Sequence, residues 1–544
     1  ESLEHESMPN VTEQILTALG KCGSEKSFQK VLEIKLENQY PAVISGIAQA
    51  LEKFAERNIK SEASISKLVQ IVSDATVADT LKYAAAYALT RCKSDLSRHI
   101  EELIEAFNTT EYIYTRSALV KALQYTKSIQ LQGFIEKIIE NSKLDYRTRL
   151  NAVSVARSLP YSELSPKIFS LLDAQQAPLA IAASEFFTTN GSVSDLGKYL
   201  DYARKISNPF VKANLLAAAL KYSESKTSVS ELIKKSIENE QNKYAKAAYI
   251  KALSSDISQY RYVMHKTFFE RDYVIASAGI ETLAQMRASE NFATYAKNHA
   301  GKKENVEEAF AEIFQKAILS GDVALMAISA QTLRDERFNY GQIYKNTYFI
   351  KQGLKKCVLP RDYEAYIELL KTDTFLNGTE YHAELTENHY TVSPKPEQVQ
   401  AIPIAQKIRF ITTKGTFLIQ LDVNTAPATV DNFIRLVWDN YFDNKAFHRI
   451  VPDFVAQTGC ARGDGWGAES YCIRSEFSMK PFVEGSVGMA SSGKDTESTQ
   501  WFINLSPAPH LNGRYTNFGF VTEGMEVVHK LELGDRIIDA ELLL

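Results

Sequence analysis

The feature that most constrains this chain is a block rich in alanine, closing on an apolar pair, that recurs along its first two thirds. VISGIAQAL ends at Leu51, LKYAAAYAL at Leu89, TRSALVKAL at Leu123, TRLNAVSVA at Ala156 and LAIAASEFF at Phe187. KANLLAAAL ends at Leu220, AKAAYIKAL at Leu253 and VIASAGIETL at Leu283. The ends fall roughly every 30 to 38 residues, a period that belongs to repeat architectures. Within each block the apolar positions follow i, i+3, i+4 and i+7, one buried helix stripe, and the alanines let a neighbouring helix approach closely. A second amphipathic helix follows each block, as in ISKLVQIVSD, IEELIEAF, LQGFIEKIIEN and VSELIKKSIEN. One helix pair cannot bury its own apolar face, and stacking pairs into an all-α solenoid solves that problem.

This periodicity resembles the HEAT or armadillo type of helical repeat over about residues 9 to 340, and it predicts a helical domain spanning residues 1 to 370. The resemblance implies a concave surface able to grip a protein partner, with a spacer or scaffold role as the alternative. Tyr112, Tyr114, Tyr146, Tyr244 and Tyr273 stand at or just before the openings of the blocks. They either line one face of the array or cap the core between repeats.

The chain's 544 residues exceed what one hydrophobic core usually serves, so two or more domains are expected. Residues 371 to 405 carry Pro394, Pro396 and Pro403, lose helical periodicity and read as a semi-rigid linker that holds the flanking domains apart. Its His382 and His389 are too few to make a metal site. From Gln406 onward there are 13 Lys and Arg against 17 Asp and Glu, and the remainder balances at 49 against 49. That distribution argues against nucleic acid or an anionic membrane as partner. No run of 18 apolar residues predicts a transmembrane segment. Cys22, Cys92, Cys357, Cys460 and Cys472 form no C-x-x-C pair, and only Cys460 and Cys472 are close enough in sequence to allow one bridge. The first residue is Glu1 where an initiator Met would stand, which points to a removed or omitted leading segment.

The texture changes after residue 405. IRFITTKGTFLIQLD alternates as two strands turning at Lys414-Gly415, and ATVDNFIRLVWDNYF has helical periodicity. Short strands with Gly-rich turns follow, so residues 406 to 544 predict an antiparallel β-barrel with flanking helices. Three separated motifs, FHRIVPDFVAQTGC, GSVGMASSGKDTESTQWFIN and HLNGRYTNFGFVTEGMEVV, resemble the cyclophilin family in order and spacing. The resemblance implies a peptidyl-prolyl cis-trans isomerase domain with catalytic Arg449 and Gln457. It implies a substrate surface of Phe454, Val455, Ala490, Ser491, Gln500, Phe502, His510, Leu511 and Tyr515. Val455 replaces a frequent Met, Ser491 an Asn, His510 a Trp and Tyr515 a His, and loss of the Trp implies weaker binding of cyclosporin. Short loops and the ending GDRIIDAELLL are closer to bacterial than to animal members, which implies an envelope location after leader removal, with the cytoplasm as alternative.

The implied chemistry is rotation about X-Pro amides in Pro-containing protein or peptide clients. An amide resists rotation by about 18 to 20 kcal/mol because its nitrogen shares a lone pair with the carbonyl. A guanidinium that hydrogen-bonds the prolyl nitrogen as it becomes pyramidal binds the twisted state better than either planar one, and so lowers the barrier. Neither metal nor cofactor is required. Ser498, Asp464 and His510 supply the residue types of a hydrolase triad but lack a G-x-S-x-G elbow, and His448 reads as a structural histidine. The alternative of another class is a proline-binding adaptor or scaffold without turnover.

Overall fold

The computed structural model describes residues 8–37, 39–299, 305–344, 346–382 and 392–543. It divides into two compact units, Glu1–Gly191 and Ser192–Leu544. In the first unit the alanine-rich blocks form the helices Pro41–Glu56, Asp79–Cys92, Ile113–Ala122, Tyr146–Ala156 and Ala177–Asn190, each packed on the next. Ala85, Ala86, Ala88 and Ala152 are fully buried where these helices meet, which is what small residues in the stripe permit. Asn151 donates to Ser117 Oγ at 2.7 Å, a buried polar link between successive helices. Tyr112 and Tyr114 pack edge to face at 5.0 Å and both meet Tyr83, so these rings gather between repeats.

The second unit continues the pattern in helices Pro209–Tyr222, Lys243–Ala252, Tyr273–Ala288, Val323–Leu333 and Tyr363–Leu376. The first four open on Asn208, Asn242, Asp272 and Asp322, whose side chains accept backbone N–H groups that a helix start leaves unpaired. The last helix runs to Leu376. His389 lies outside the described residues. Past it, Val392, Val399 and Ile402 lean on the core of the following domain.

That domain is an eight-stranded antiparallel sheet, curled on itself, in the order β3-β4-β6-β5-β7-β2-β1-β8. Its strands are β1 Lys407–Thr412, β2 Gly415–Leu421, β3 Arg449–Val451, β4 Val455–Thr458, β5 Ser486–Met489, β6 Trp501–Asn504, β7 Asn517–Glu523 and β8 Ile537–Leu543. The β1–β2 hairpin turns where expected, with Gly415 at φ +132°. Helix Pro427–Trp438 closes one side of the barrel, and Phe410, Phe433, Phe442 and Trp501 pack inside with ring centroids 4.9 to 6.2 Å apart. Cys460 and Cys472 are both buried and are not joined to each other, so the bridge that their spacing allows is not formed.

The Pro-containing stretch does not hold the barrel away from the helices of this unit. Tyr244 donates its hydroxyl to the Gly463 carbonyl at 2.7 Å, and Ser277 donates to Asp464 Oδ2 at 2.7 Å. Arg462 pairs with Asp322 at 3.0 Å and lies 3.9 Å over the ring of Tyr273. Asn208 donates to Glu532 at 3.3 Å, and the Ala468 N–H donates to the Arg361 carbonyl at 3.0 Å. Asn208, Tyr244, Tyr273, Ser277 and Asp322 all sit in or beside the first turns of successive helices, so one edge of the stack meets the barrel. Tyr244 and Tyr273 therefore serve this face.

Candidate active site

Strand register builds the site. Arg449 on β3 stands opposite Gln457 on β4, Gln457 opposite Phe502 on β6, and Phe502 opposite Gly488 on β5. Because side chains alternate across a strand, Trp501 and Ile503 fill the barrel while Phe502 projects from its other face. Phe502 there joins Val455, Phe482, Ala508 and Leu511 in a small separate apolar cluster, with Phe454, Ala490 and Tyr515 packed against it. The rings of Phe502 and Phe482 are 5.8 Å apart, Tyr515 meets Phe502 edge-on at 6.1 Å, and His510 lies 5.2 Å from Phe454. Gly488 makes this slot possible, since a Cβ there would fall 2.5 Å from Phe502 Cζ and 2.7 Å from Phe482 Cε1.

Arg449 is exposed at the mouth of the slot, its guanidinium 5.8 Å from the centre of the Phe454 ring. A directional hydrogen-bond chain runs back from it. Arg449 Nη1 donates to Gln457 Oε1 at 3.3 Å, and Gln457 Nε2 donates to Gln500 Oε1 at 3.1 Å. Gln500 Nε2 donates to the carbonyls of Gly465 and Gly467 at 3.0 and 3.1 Å. Carbonyls only accept, so they turn the Gln500 amine toward themselves. Its oxygen is left for Gln457, whose own oxygen then faces the arginine. Ser491, half-buried, and Ala490 form the rim beyond Gln500, where the Ala490 N–H donates to the Gln500 carbonyl at 2.9 Å.

Of the eleven residues expected from the sequence, Arg449, Gln457, Ala490, Ser491 and Gln500 line one cavity, while Phe454, Val455, Phe502, Leu511 and Tyr515 gather with Ala490 in the apolar cluster, His510 lying against Phe454. Phe482, Ala508 and Gly488 belong to it as well, and nothing short of strand register distinguishes them from ordinary core residues and turns. The loop carbonyls of Gly465 and Gly467 were equally hidden, because a main-chain acceptor leaves no mark on residue type. Burial holds the His448 imidazole down to about 4, so it is neutral at ordinary pH and carries no proton for acid chemistry. Asp464 commits its carboxylate to Arg462 and Ser277 and so does not serve a relay through Ser498 and His510.

An antiparallel barrel that presents an arginine, held through two glutamines, beside a separate apolar cluster fits the prolyl isomerase class. The family model for cyclophilin type peptidyl-prolyl cis-trans isomerases matches residues 407–540. A peptidyl-prolyl cis-trans isomerase of Synechococcus elongatus is 40% identical over 134 residues, 24% of this chain and 92% of that protein. Peptidyl-prolyl cis-trans isomerase B of Bacillus subtilis is 42% identical over 118 residues, 21% of this chain and 82% of that protein. Through this domain the chain belongs to the cyclophilin family. A crystal structure of a cyclophilin type isomerase of Cryptosporidium parvum matches at 28% identity with a TM-score of 0.24, covering 26% of this chain and 98% of that one.

Proposed function

We propose that the chain accelerates cis/trans rotation about X-Pro bonds in peptide segments laid across the groove, with Arg449 as the group that stabilises the twisted amide. The observation that carries this reading is the chain Arg449–Gln457–Gln500, which aims a guanidinium at the mouth of an apolar slot. In this reading Phe454, Phe502 and Leu511 hold the pyrrolidine ring still, with Val455, His510 and Tyr515 completing the slot. Gln457 orients the guanidinium. The rim at Ala490 and Ser491 receives the peptide main chain, which makes Ser at 491 an adequate substitute for Asn. Rotation makes and breaks no covalent bond, so binding geometry and one well-placed donor suffice.

The helical repeats, in the same reading, bind or orient the protein clients whose prolines the barrel turns. The bacterial family members matched here are largely accounted for by the barrel alone, so the repeats add something to that shared activity. The test is the isomerisation rate of an X-Pro tetrapeptide with the intact protein and with Arg449→Ala. Turnover that the substitution abolishes supports the enzyme, whereas no turnover by the intact protein leaves a proline-binding adaptor. Hydrogen exchange on the full chain with an unfolded, proline-containing client would show protection along the repeats if they recruit it. Protection confined to the groove would remove that role.

A further inference from the structure

The groove does not end at the barrel. Beyond Gln457 and Gln500 it opens into a cavity of about 290 Å³ whose opposite wall is Pro360, Arg361, Tyr363 and Glu364, from the start of the helix Tyr363–Leu376. That volume is at the small end of ligand pockets and suits one long side chain. We propose that this segment of the helical region is part of the substrate-binding surface, and that Glu364 selects clients carrying Lys or Arg within two residues of the X-Pro bond. The proposal rests on the isomerase reading of the Arg449 groove.

The charges along the cavity point to a cationic occupant. Arg361 is matched by its neighbour, its Nε and Nη2 each donating at 2.8 Å to the buried carboxylate of Asp362, so that pair presents no net charge. Arg449 is the groove's own cation, turned over Phe454. Glu364 has neither kind of partner. Its Oε2 accepts the Ser492 hydroxyl at 3.2 Å, which ties the helical wall to the rim of the groove. Among the described residues Glu364 forms no ion pair, and the neighbouring charge that bears on it is Glu368, a like charge itself held by Arg334 and Lys371. A half-buried carboxylate with a neutral donor and, among the described residues, no ion-pair partner is poorly satisfied, and an ammonium or guanidinium entering the cavity would supply what is missing. Ser491, Ser492 and Thr496 on the facing rim offer hydroxyls and no competing charge.

The wall is also firmly placed. The Ala468 N–H donates to the Arg361 carbonyl, and the adjoining loop is pinned through Arg462 to Asp322. A client side chain entering the cavity therefore meets Glu364 and Gln500 on opposite sides of one rigid space. The barrel alone would leave that side open to water.

The experiment is a peptide series run on the full chain, holding X-Pro constant and placing Lys, Gln or Glu in turn at each of the two positions before and after it. At one position the intact protein should turn over the Lys peptide about tenfold faster in kcat/KM than the Gln peptide, and the Glu peptide more slowly still, which is about 1.4 kcal/mol of discrimination. Glu364→Gln should erase the Lys-over-Gln ratio and Glu364→Lys should invert it. Each ratio is taken within one enzyme preparation, so a fraction of misfolded variant cancels. Equal rates for Lys, Gln and Glu peptides at all four positions in the intact protein would overturn the selectivity while leaving the isomerase in place. A preference that survives Glu364→Gln would overturn the assignment to this residue. Absence of turnover on every peptide would instead strike the isomerase reading beneath it.

Discussion

Gln500→Glu isolates the hydrogen-bond chain behind Arg449. The substitution keeps the shape of the side chain and its acceptor for Gln457, but replaces the amine that donates to Gly465 and Gly467 at 3.0 and 3.1 Å with an oxygen. Two bonds are lost, each worth about 0.5 to 1.5 kcal/mol net, and a carboxylate is set against two carbonyl oxygens. If the whole of that falls on the orientation of Gln457 and hence of Arg449, kcat/KM drops roughly 5- to 150-fold at neutral pH. The repulsion also holds the introduced carboxyl above its ordinary range, and once protonated it regains one donor for a carbonyl. The deficit should therefore shrink as pH falls from 8 toward 5, a window in which His448, held at about 4, does not titrate. Rates measured by exchange spectroscopy, which needs no coupling protease, together with the melting temperature separate orientation from unfolding. A variant within twofold of the parent at every pH, with an unchanged melting temperature, would refute the idea that the loop carbonyls position the arginine.

Other consequences are open to direct measurement. Gly488→Ala should cost about 1 to 3 kcal/mol and reduce kcat/KM, because a methyl 2.5 Å from Phe502 Cζ must displace the ring that floors the slot; thermal melts and peptide turnover report the two effects. Tyr244→Phe leaves the Gly463 carbonyl without its buried donor, so amides of residues 460–468 should exchange faster in the full chain while those of the barrel core do not. Glu497 is buried and held up to about 8, so between the unfolded carboxyl's pKa near 4.5 and about 8 the folded state keeps a proton that the unfolded state loses. Stability thus falls as pH rises across that window, and Glu497→Gln should remove the fall, read as the slope of melting temperature against pH. Cyclosporin inhibition should be weak and should strengthen about tenfold in His510→Trp, where an indole can contact the drug; an unchanged inhibition curve would count against that role for position 510.

How much of this was legible beforehand depends on whether the information is local. The alanine blocks announce stacked helices because a packing stripe must repeat with the helix period, and each quoted block falls on a helix, in two cases with its closing turn, that packs on other helices of its own unit. The groove residues were readable because three motifs fall on β3–β4, on β5–β6 and on the turn before β7, strands that the sheet then sets side by side. Phe482 escaped notice because an apolar residue beside Pro481 looks like any loop anchor, and only its 5.8 Å approach to Phe502 gives it a role. The linker misled for a similar reason. Prolines at 394, 396 and 403 do stop the preceding helical pattern, but local stiffness says nothing of where a chain leads, and Val392, Val399 and Ile402 lead it onto the barrel core.

The meeting of helices and barrel shows why long-range contacts stay hidden even when both halves are in plain view. Tyr244 and Gly463 are 219 positions apart, and each is unremarkable alone: a tyrosine in the first turn of a repeat helix, and a glycine in a turn rich in glycines. The need for glycine becomes physical only in the folded chain, where Gly463 at φ +77° would place a Cβ 2.9 Å from the Tyr244 hydroxyl, and Gly534 at φ +92° one 2.7 Å from the same ring. Both glycines let the barrel come within hydrogen-bonding distance of the helix edge. That closeness in turn fixes the loop whose Gly465 and Gly467 carbonyls begin the chain to Arg449. Repeats that met the barrel anywhere else would be a tether. Meeting it at this loop, they bear on the orientation of Arg449, so substitutions at Tyr244, Ser277 or Asp322 should lower peptide turnover even for substrates too short to touch the repeats. A tether would leave such substrates unaffected.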